Sequence, residues 1–275
     1  MSLKFALVTD IHHGPDIGKK MGTKAGFLMQ SFIKAAQKFD AEFIIDLGDR
    51  ITSAKSDTDA LARKIVDKER LRRISAYYNQ IAVPKYYVMG NHDVRNLTRD
   101  ENAEILGKPA TSYTIEHNNY RFVIWNPTVT TERYQPFVLQ DSELNWLKSA
   151  VNQSNKPIIL FSHVPLDDTP KDLDKSLIAP PRSIPRFYYD QSKQVREILE
   201  NSGKVAACFA GHLHTERLNT INGIHYITQQ SLSAQVKKTD EAHGSYSLIK
   251  LKDDKIVIKI KGHDSKTLRL PINTP

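Results

Sequence analysis

Cysteine is nearly absent from this sequence: Cys208 is the only one in 275 residues. An intramolecular disulfide is therefore impossible, and a zinc site built from several thiolates is excluded. The context of Cys208, VAACFAG, reads as a buried strand, so the thiol is expected to pack in a core rather than to act as a nucleophile. Long apolar runs are missing too. No stretch approaches the ~18 residues that a membrane-spanning helix requires, and no signal-peptide pattern precedes the first strand. These two absences point to a cytoplasmic protein without a membrane span, although Met1-Ser2-Leu3 leaves open a leader removed upstream. No run of five lysines or arginines occurs, which argues against a dedicated nucleic-acid arm. No repeat, low-complexity tract or linker divides the chain, so a single domain over 1–275 is expected.

What is present is ordinary globular composition with a basic bias. Lysine and arginine number 39 against 31 acidic residues, a formal charge of +8, and such a balance favours anionic ligands. Apolar runs alternate with helical patterns. LKFALVT (3–9), EFIIDLG (42–48) and KYYVMG (85–90) read as buried strands. Helical stripes lie between them over 24–39 and 57–80. This order implies a parallel sheet. A hairpin turning at Asn118-Asn119 is expected over 112–126. A helix follows over 142–153, then a strand at 156–163, a helix over 191–203 closing at Gly203, and a strand at 205–211. Residues 217–261 read as an antiparallel segment with turns at Asn222-Gly223 and Asp253-Asp254. Residues 165–190 are rich in Pro, Asp and Arg and lack any period, which marks a long loop.

Five of these strands share one feature: each runs directly into a cluster of Asp, Asn or His. The clusters are DIH (10–12), GDR (48–50), GNHD (90–93), SH (162–163) and GHLH (211–214). Loops at the carboxyl ends of parallel strands converge on one edge of a sheet, so five such loops can meet in one pocket. One cluster alone is turn chemistry; five in succession are not readily explained by turns. Together they supply Asp10, His12, Asp49, Asn91, His163, His212 and His214. Seven oxygen and imidazole donors without sulfur exceed the needs of one tetrahedral zinc. They fit two metals sharing a carboxylate, and they suit manganese, iron, zinc or cobalt without choosing among them. In the first cluster, strand alternation would point Asp10 and His12 to one side and His13 to the other.

In order and spacing the five motifs resemble those of the calcineurin-like metallophosphoesterases, from Leu3 to about Lys261. The resemblance implies an α/β (α+β) fold in which two mixed sheets pack face to face with helices outside. It implies one metal held by Asp10, His12, Asp49 and His214, and a second held by Asp49, Asn91, His163 and His212. The pair would be divalent or mixed-valence. His92 would be a catalytic histidine beside the leaving group. Two cations about 3.5–4 Å apart clamp the attacking and leaving oxygens of an in-line phosphoryl displacement, with a hydroxide between them as nucleophile. The expected activity is thus metal-dependent hydrolysis of a phosphodiester in a small or nucleotide-like substrate. A phosphomonoesterase or a nucleotide diphosphatase is the nearest alternative, and a nuclease or a non-catalytic scaffold is more remote.

The sequence also departs from relatives. Many carry Gly-Asp-x-x-Asp, and here the second Asp position is Thr52. Met89 and Asp93 flank Gly-Asn-His where protein phosphatases place Arg and Glu, which argues against a protein phosphatase. TDIHHG, NGIHYI (222–227) and GSYSLIKL (244–251) resemble bacterial phosphodiesterases of the superfamily and, more loosely, its manganese-dependent ADP-ribose/CDP-alcohol diphosphatases. Among the remaining candidates, Asp93 either orients His92 or caps its turn, and Arg50 is assigned to structural ion pairs. His117 and His225 are assigned to packing or surface and His263 to solvent. His243 is a weak candidate for the pocket. Arg182, Arg186, Tyr188 and Tyr189 could contact a phosphate or a base from the long loop.

Overall fold

The computed structural model describes residues 2–55, 59–117, 119–130, 135–167 and 187–272. Two six-stranded mixed sheets form the body. The first has the order β12-β11-β10-β1-β2-β3 and the second β4-β5-β6-β7-β9-β8. In the first sheet β1 (Leu3–Val8), β2 (Phe43–Asp46) and β3 (Lys85–Tyr87) run parallel. The strands β10 (Tyr246–Lys252), β11 (Lys255–Lys261) and β12 (Lys266–Pro271) extend it antiparallel from β1. In the second sheet β5 (Tyr120–Ile124), β6 (Ile158–Phe161), β7 (Val205–Ala210) and β9 (Ile224–Thr228) are parallel, with β4 (Tyr113–His117) and β8 (Arg217–Ile221) as antiparallel edges.

The period-2 pattern of the strands makes this sandwich. On β1, Leu3, Phe5 and Leu7 point into the space between the sheets, against Phe122, Phe161 and Phe209 of the second sheet. Ala6 and Val8 point outward beneath α1 (Ala25–Lys38) and α2 (Ala60–Ser75). On the far side α4 (Asp141–Asn152) and α5 (Ser192–Ser202) cover Ile158, Leu160 and Cys208. Strands buried on both faces are uniformly apolar, which is why they stood out in the sequence. Cys208 lies among them and burial raises its thiol pKa, consistent with packing.

Two expectations need correction. The helical stretch at 57–80 is α2 followed by a short 3-10 turn at Ala76–Gln80. The segment 217–261 is not one antiparallel unit: β8 and β9 close the second sheet, with β9 parallel to β7, while β10 and β11 belong to the first sheet. Two elements had no prediction. Helix α3 (Arg99–Leu106) is short and polar, and its start is fixed by a Thr98/Glu101 capping box. Strand β12 is an exposed edge with little apolar content and is held by its ladder to β11.

Candidate metal centre

The carboxyl ends of β1, β2, β3, β6 and β7 bring the five sequence clusters together. The backbone does this by a device the strand pattern did not suggest. Strand β1 ends at Val8, and Asp10 and His12 lie beyond it with φ of 50° and 48°. Alternation along a strand is therefore not what separates His12 from His13. Two left-handed residues, two apart, turn Asp10 and His12 into the site. Asp49, His212 and His214 are also left-handed, so five of the eight described non-glycine residues with positive φ are predicted donors. Such conformations cost free energy and persist only where the surroundings hold them.

The surroundings hold them by backbone bonds between clusters. The amides of Asp10 and His12 donate to the carbonyls of Gly48 and Asp49 at 2.9 Å each. The His212 amide donates to Asp10 Oδ2 at 2.8 Å, and Thr9 Oγ1 donates to the same oxygen at 2.8 Å. Gly211 permits this approach of the two sheets: a Cβ there would lie 2.1 Å from Thr9 Oγ1. Asn126, at the end of β5, accepts from the Met89 amide and donates to the Tyr87 carbonyl, tying the exit of β3 to the second sheet.

The donors fall into two groups. His12 Nε2 and His214 Nε2 are 2.8 Å apart, and Asp10 Oδ1 is 3.1 Å from His214 Nε2. His163 Nε2 lies 3.2 Å from His212 Nδ1 and 3.3 Å from Asn91 Oδ1. Asp49 stands between them, with Oδ2 3.7 Å from His12 Nε2 and Oδ1 3.5 Å from His163 Nε2. Each group contains carboxylate and imidazole atoms close enough to hold one metal ion. The chemistry of the set fits a cation. His163 Nδ1 is 2.8 Å from the Leu47 carbonyl and donates to it, so in the neutral ring Nε2 carries a lone pair. That lone pair faces the acceptor oxygens of Asn91 and Asp49, an arrangement a metal ion would resolve.

Charge in the centre is finely balanced. Burial raises the Asp49 carboxyl to about 6, aided by Asp10 and Asp93 and opposed by His163 and Lys20. Burial also works to raise Asp10, but His214, His12 and His163 outweigh it and hold that carboxyl well below its usual range. Burial lowers His12 and His92, with Lys20 adding to both.

His92 borders the two groups. Its amide donates to Asp49 Oδ1 at 2.7 Å and its ring packs edge-on to His12, centroids 5.0 Å apart. The missing carboxylate at Thr52 is explained here. Thr52 Oγ1 donates to the His12 carbonyl, and the Ser53 hydroxyl, one residue later, lies 2.8 Å from His92 Nδ1. Asp93 is a cap: its carboxylate accepts from the amides of Asp49, Arg50 and Gly90. Arg50 is buried in ion pairs with Asp46 and Asp93 at 3.0 and 2.8 Å.

The weaker candidates separate cleanly. His13 belongs to neither donor group. His225 is buried between Thr220 Oγ1 and the Pro271 carbonyl, and His117 pairs with Glu42. His243 pairs with Asp264, which His263 also contacts. Tyr189 is a core residue packed on Trp125 and Phe137, so it offers no base-stacking face. Arg182 and Arg186 lie outside the described residues, as does most of the 165–190 loop. Sequence reasoning missed Lys20, Ser53 and Asn126. Ser53 could have been sought near the vacant Thr52 position, whereas no local pattern marks Lys20 or Asn126.

No helix among the described residues is long and apolar enough to cross a membrane. No curated protein matches the chain. Several solved structures share its fold. A dimetal phosphatase from Danio rerio aligns with a TM-score of 0.74 and 17% identity, covering 98% of this chain and 99% of that one. A purple acid phosphatase from yellow lupin seeds aligns at 0.66 with 10% identity, covering 98% of this chain and 54% of its own. The Plasmodium protein GAP50, described as an anchor in the inner membrane complex, aligns at 0.58 with 17% identity over 99% and 90%. The calcineurin-like phosphoesterase family model matches residues 3–216, and the chain belongs to that family.

Proposed function

We propose that the protein is a dinuclear metal-dependent phosphodiesterase acting on a small or nucleotide-like ester. Asp10, His12, Asp49 and His214 would hold one metal; Asp49, Asn91, His163 and His212 would hold the other. The carrying observation is Asp49, whose two oxygens face the two separate donor groups. When bound, such a metal pair supplies Lewis acidity for the phosphoryl group and lowers the pKa of a water. The chain's own work is positioning. Left-handed backbone aims the donors, the Leu47 carbonyl fixes the His163 tautomer, and Ser53 fixes the His92 ring beside the leaving group. The whole of 1–275 would act as one domain, in the cytoplasm.

A phosphomonoesterase or nucleotide diphosphatase is the second reading, favoured by fold neighbours that are described as phosphatases. The test is turnover of bis(p-nitrophenyl) phosphate by protein loaded with manganese, iron, zinc or cobalt. A parallel panel of cyclic nucleotides, ADP-ribose, CDP-alcohols, glycerophosphodiesters and monoesters separates the two readings. The account predicts turnover of the diester with at least one metal; none with any metal would overturn it.

A further inference from the structure

One cation at this centre is not accounted for by the donor set. Lys20 is half-buried, and its ammonium lies 2.8 Å from His92 Nε2. An ammonium has only protons to give, so His92 Nε2 accepts. On the other side of the ring, Nδ1 lies 2.8 Å from the Ser53 hydroxyl and 3.4 Å from the Ser53 amide. Lys20 thus presents its remaining protons next to the ring expected at the leaving group.

The position is built by the backbone. Residues 17–20 form a tight turn with reciprocal bonds of 3.0 Å between Ile17 and Lys20. That turn is stitched to the strand-like segment 233–235: the Gln235 amide donates to the Lys19 carbonyl at 2.7 Å, and the Met21 amide donates to the Ser233 carbonyl at 2.9 Å. The loop then folds back onto the first donor cluster at Gly22, where a Cβ would lie 2.4 Å from the His12 carbonyl oxygen. A lysine held this way loses hydration and side-chain freedom. Those costs are offset where an anion occupies the site.

We infer that Lys20 is a catalytic residue whose ammonium donates a hydrogen bond to the leaving-group oxygen of the phosphoester. The inference rests on the phosphoesterase reading above. As the oxygen–phosphorus bond from the nucleophile forms, the bond to the leaving group breaks and its electron pair moves onto the departing oxygen. Lys20 stabilises that charge through a charge-assisted hydrogen bond, and the departing group takes its proton from solvent. The His92 ring keeps the ammonium in place.

The experiment compares the parent and Lys20→Met on methyl aryl phosphodiesters whose leaving groups run from 4-nitrophenol to phenol. Bound metal and melting temperature are measured alongside. Lys20→Met should keep the parent's metal content. Its loss in kcat/KM should grow from under about tenfold with the 4-nitrophenyl ester to about a hundredfold with the phenyl ester. Lys20→Arg, which keeps a donor, should recover part of the loss with the phenyl ester. A loss equal across the series, no loss, or a loss matched by missing metal overturns the inference while leaving the phosphoesterase reading standing. Absence of turnover by the parent with every ester overturns both.

Discussion

Two clusters of buried charge lie side by side at the ends of β1, β2 and β3, and they are built on opposite principles. In the first, Arg50 sits between Asp46 and Asp93, its guanidinium also donating to the Val88 carbonyl. Tyr78 donates to Asp46, and three amides donate to Asp93. Opposite charges face each other. In the second, the carboxylates of Asp10 and Asp49 and the rings of four histidines converge, with ring nitrogens 2.8 to 3.7 Å from one another or from a carboxylate oxygen. The first cluster pairs its opposite charges within the protein. The second gathers carboxylate and imidazole atoms that could hold metal ions. Buried polar groups that satisfy each other hold a structure together; those that converge unsatisfied mark a place for a ligand.

This contrast predicts that damage to the two clusters will be read by different instruments. The largest effect is expected at Asp49. Asp49→Asn should lower kcat/KM on the order of a thousandfold or more, with loss of bound metal by elemental analysis. The metal-free protein should melt no lower than the parent, because the substitution removes a buried carboxylate that Asp10 and Asp93 oppose. A clear drop in its melting temperature would place Asp49 among the structural charges instead. Arg50→Met should do the reverse first. Leaving Asp46 and Asp93 buried without their cation should cost about 3–5 kcal/mol, read by denaturant unfolding. Unchanged stability would remove the contrast.

Within the opening TDIHHG stretch the same contrast sharpens to one residue. His12→Ala should cost most of the activity and His13→Ala far less, measured as kcat/KM at saturating metal. Equal losses would mean that His13 also serves the centre. The smallest effect is expected outside the centre, at the start of α3. Glu101 accepts from the Thr98 amide and pairs with Lys64 and Lys68, which lowers its carboxyl to about 2. A depressed carboxyl contributes stability above its unfolded pKa, and that contribution fades as pH falls toward about 2. The surface pairs should contribute no more than about 1 kcal/mol. Glu101→Gln should flatten the acid limb of the stability profile without altering activity at neutral pH.

The donor residues were legible because each stands at the end of an apolar strand, where a polar cluster is conspicuous. The structure groups His12, not His13, with the other candidate donors, by a geometry other than strand alternation. Strand alternation and a pair of left-handed residues both bring positions 10 and 12 to one side, and only the backbone angles tell them apart. The Thr52 departure was visible, yet the Ser53 hydroxyl beside His92 Nδ1 was not, since a hydroxyl in a loop carries no periodic signal. Lys20 and Asn126 act through contacts across 72 and 37 residues of chain, which no local pattern can encode. The C-terminal strands were legible as strands, but not their division between two sheets. Pairing partners are chosen by tertiary packing, and β8–β9 and β10–β11 look alike as hairpins.

The central claim is that Asp49 stands between two metals. Anomalous diffraction from crystals of manganese-loaded protein tests it directly. The account predicts two peaks about 3.5–4 Å apart, one beside Asp10, His12 and His214, the other beside Asn91, His163 and His212, with an Asp49 oxygen toward each. A single peak, or two peaks that Asp49 does not join, would contradict it.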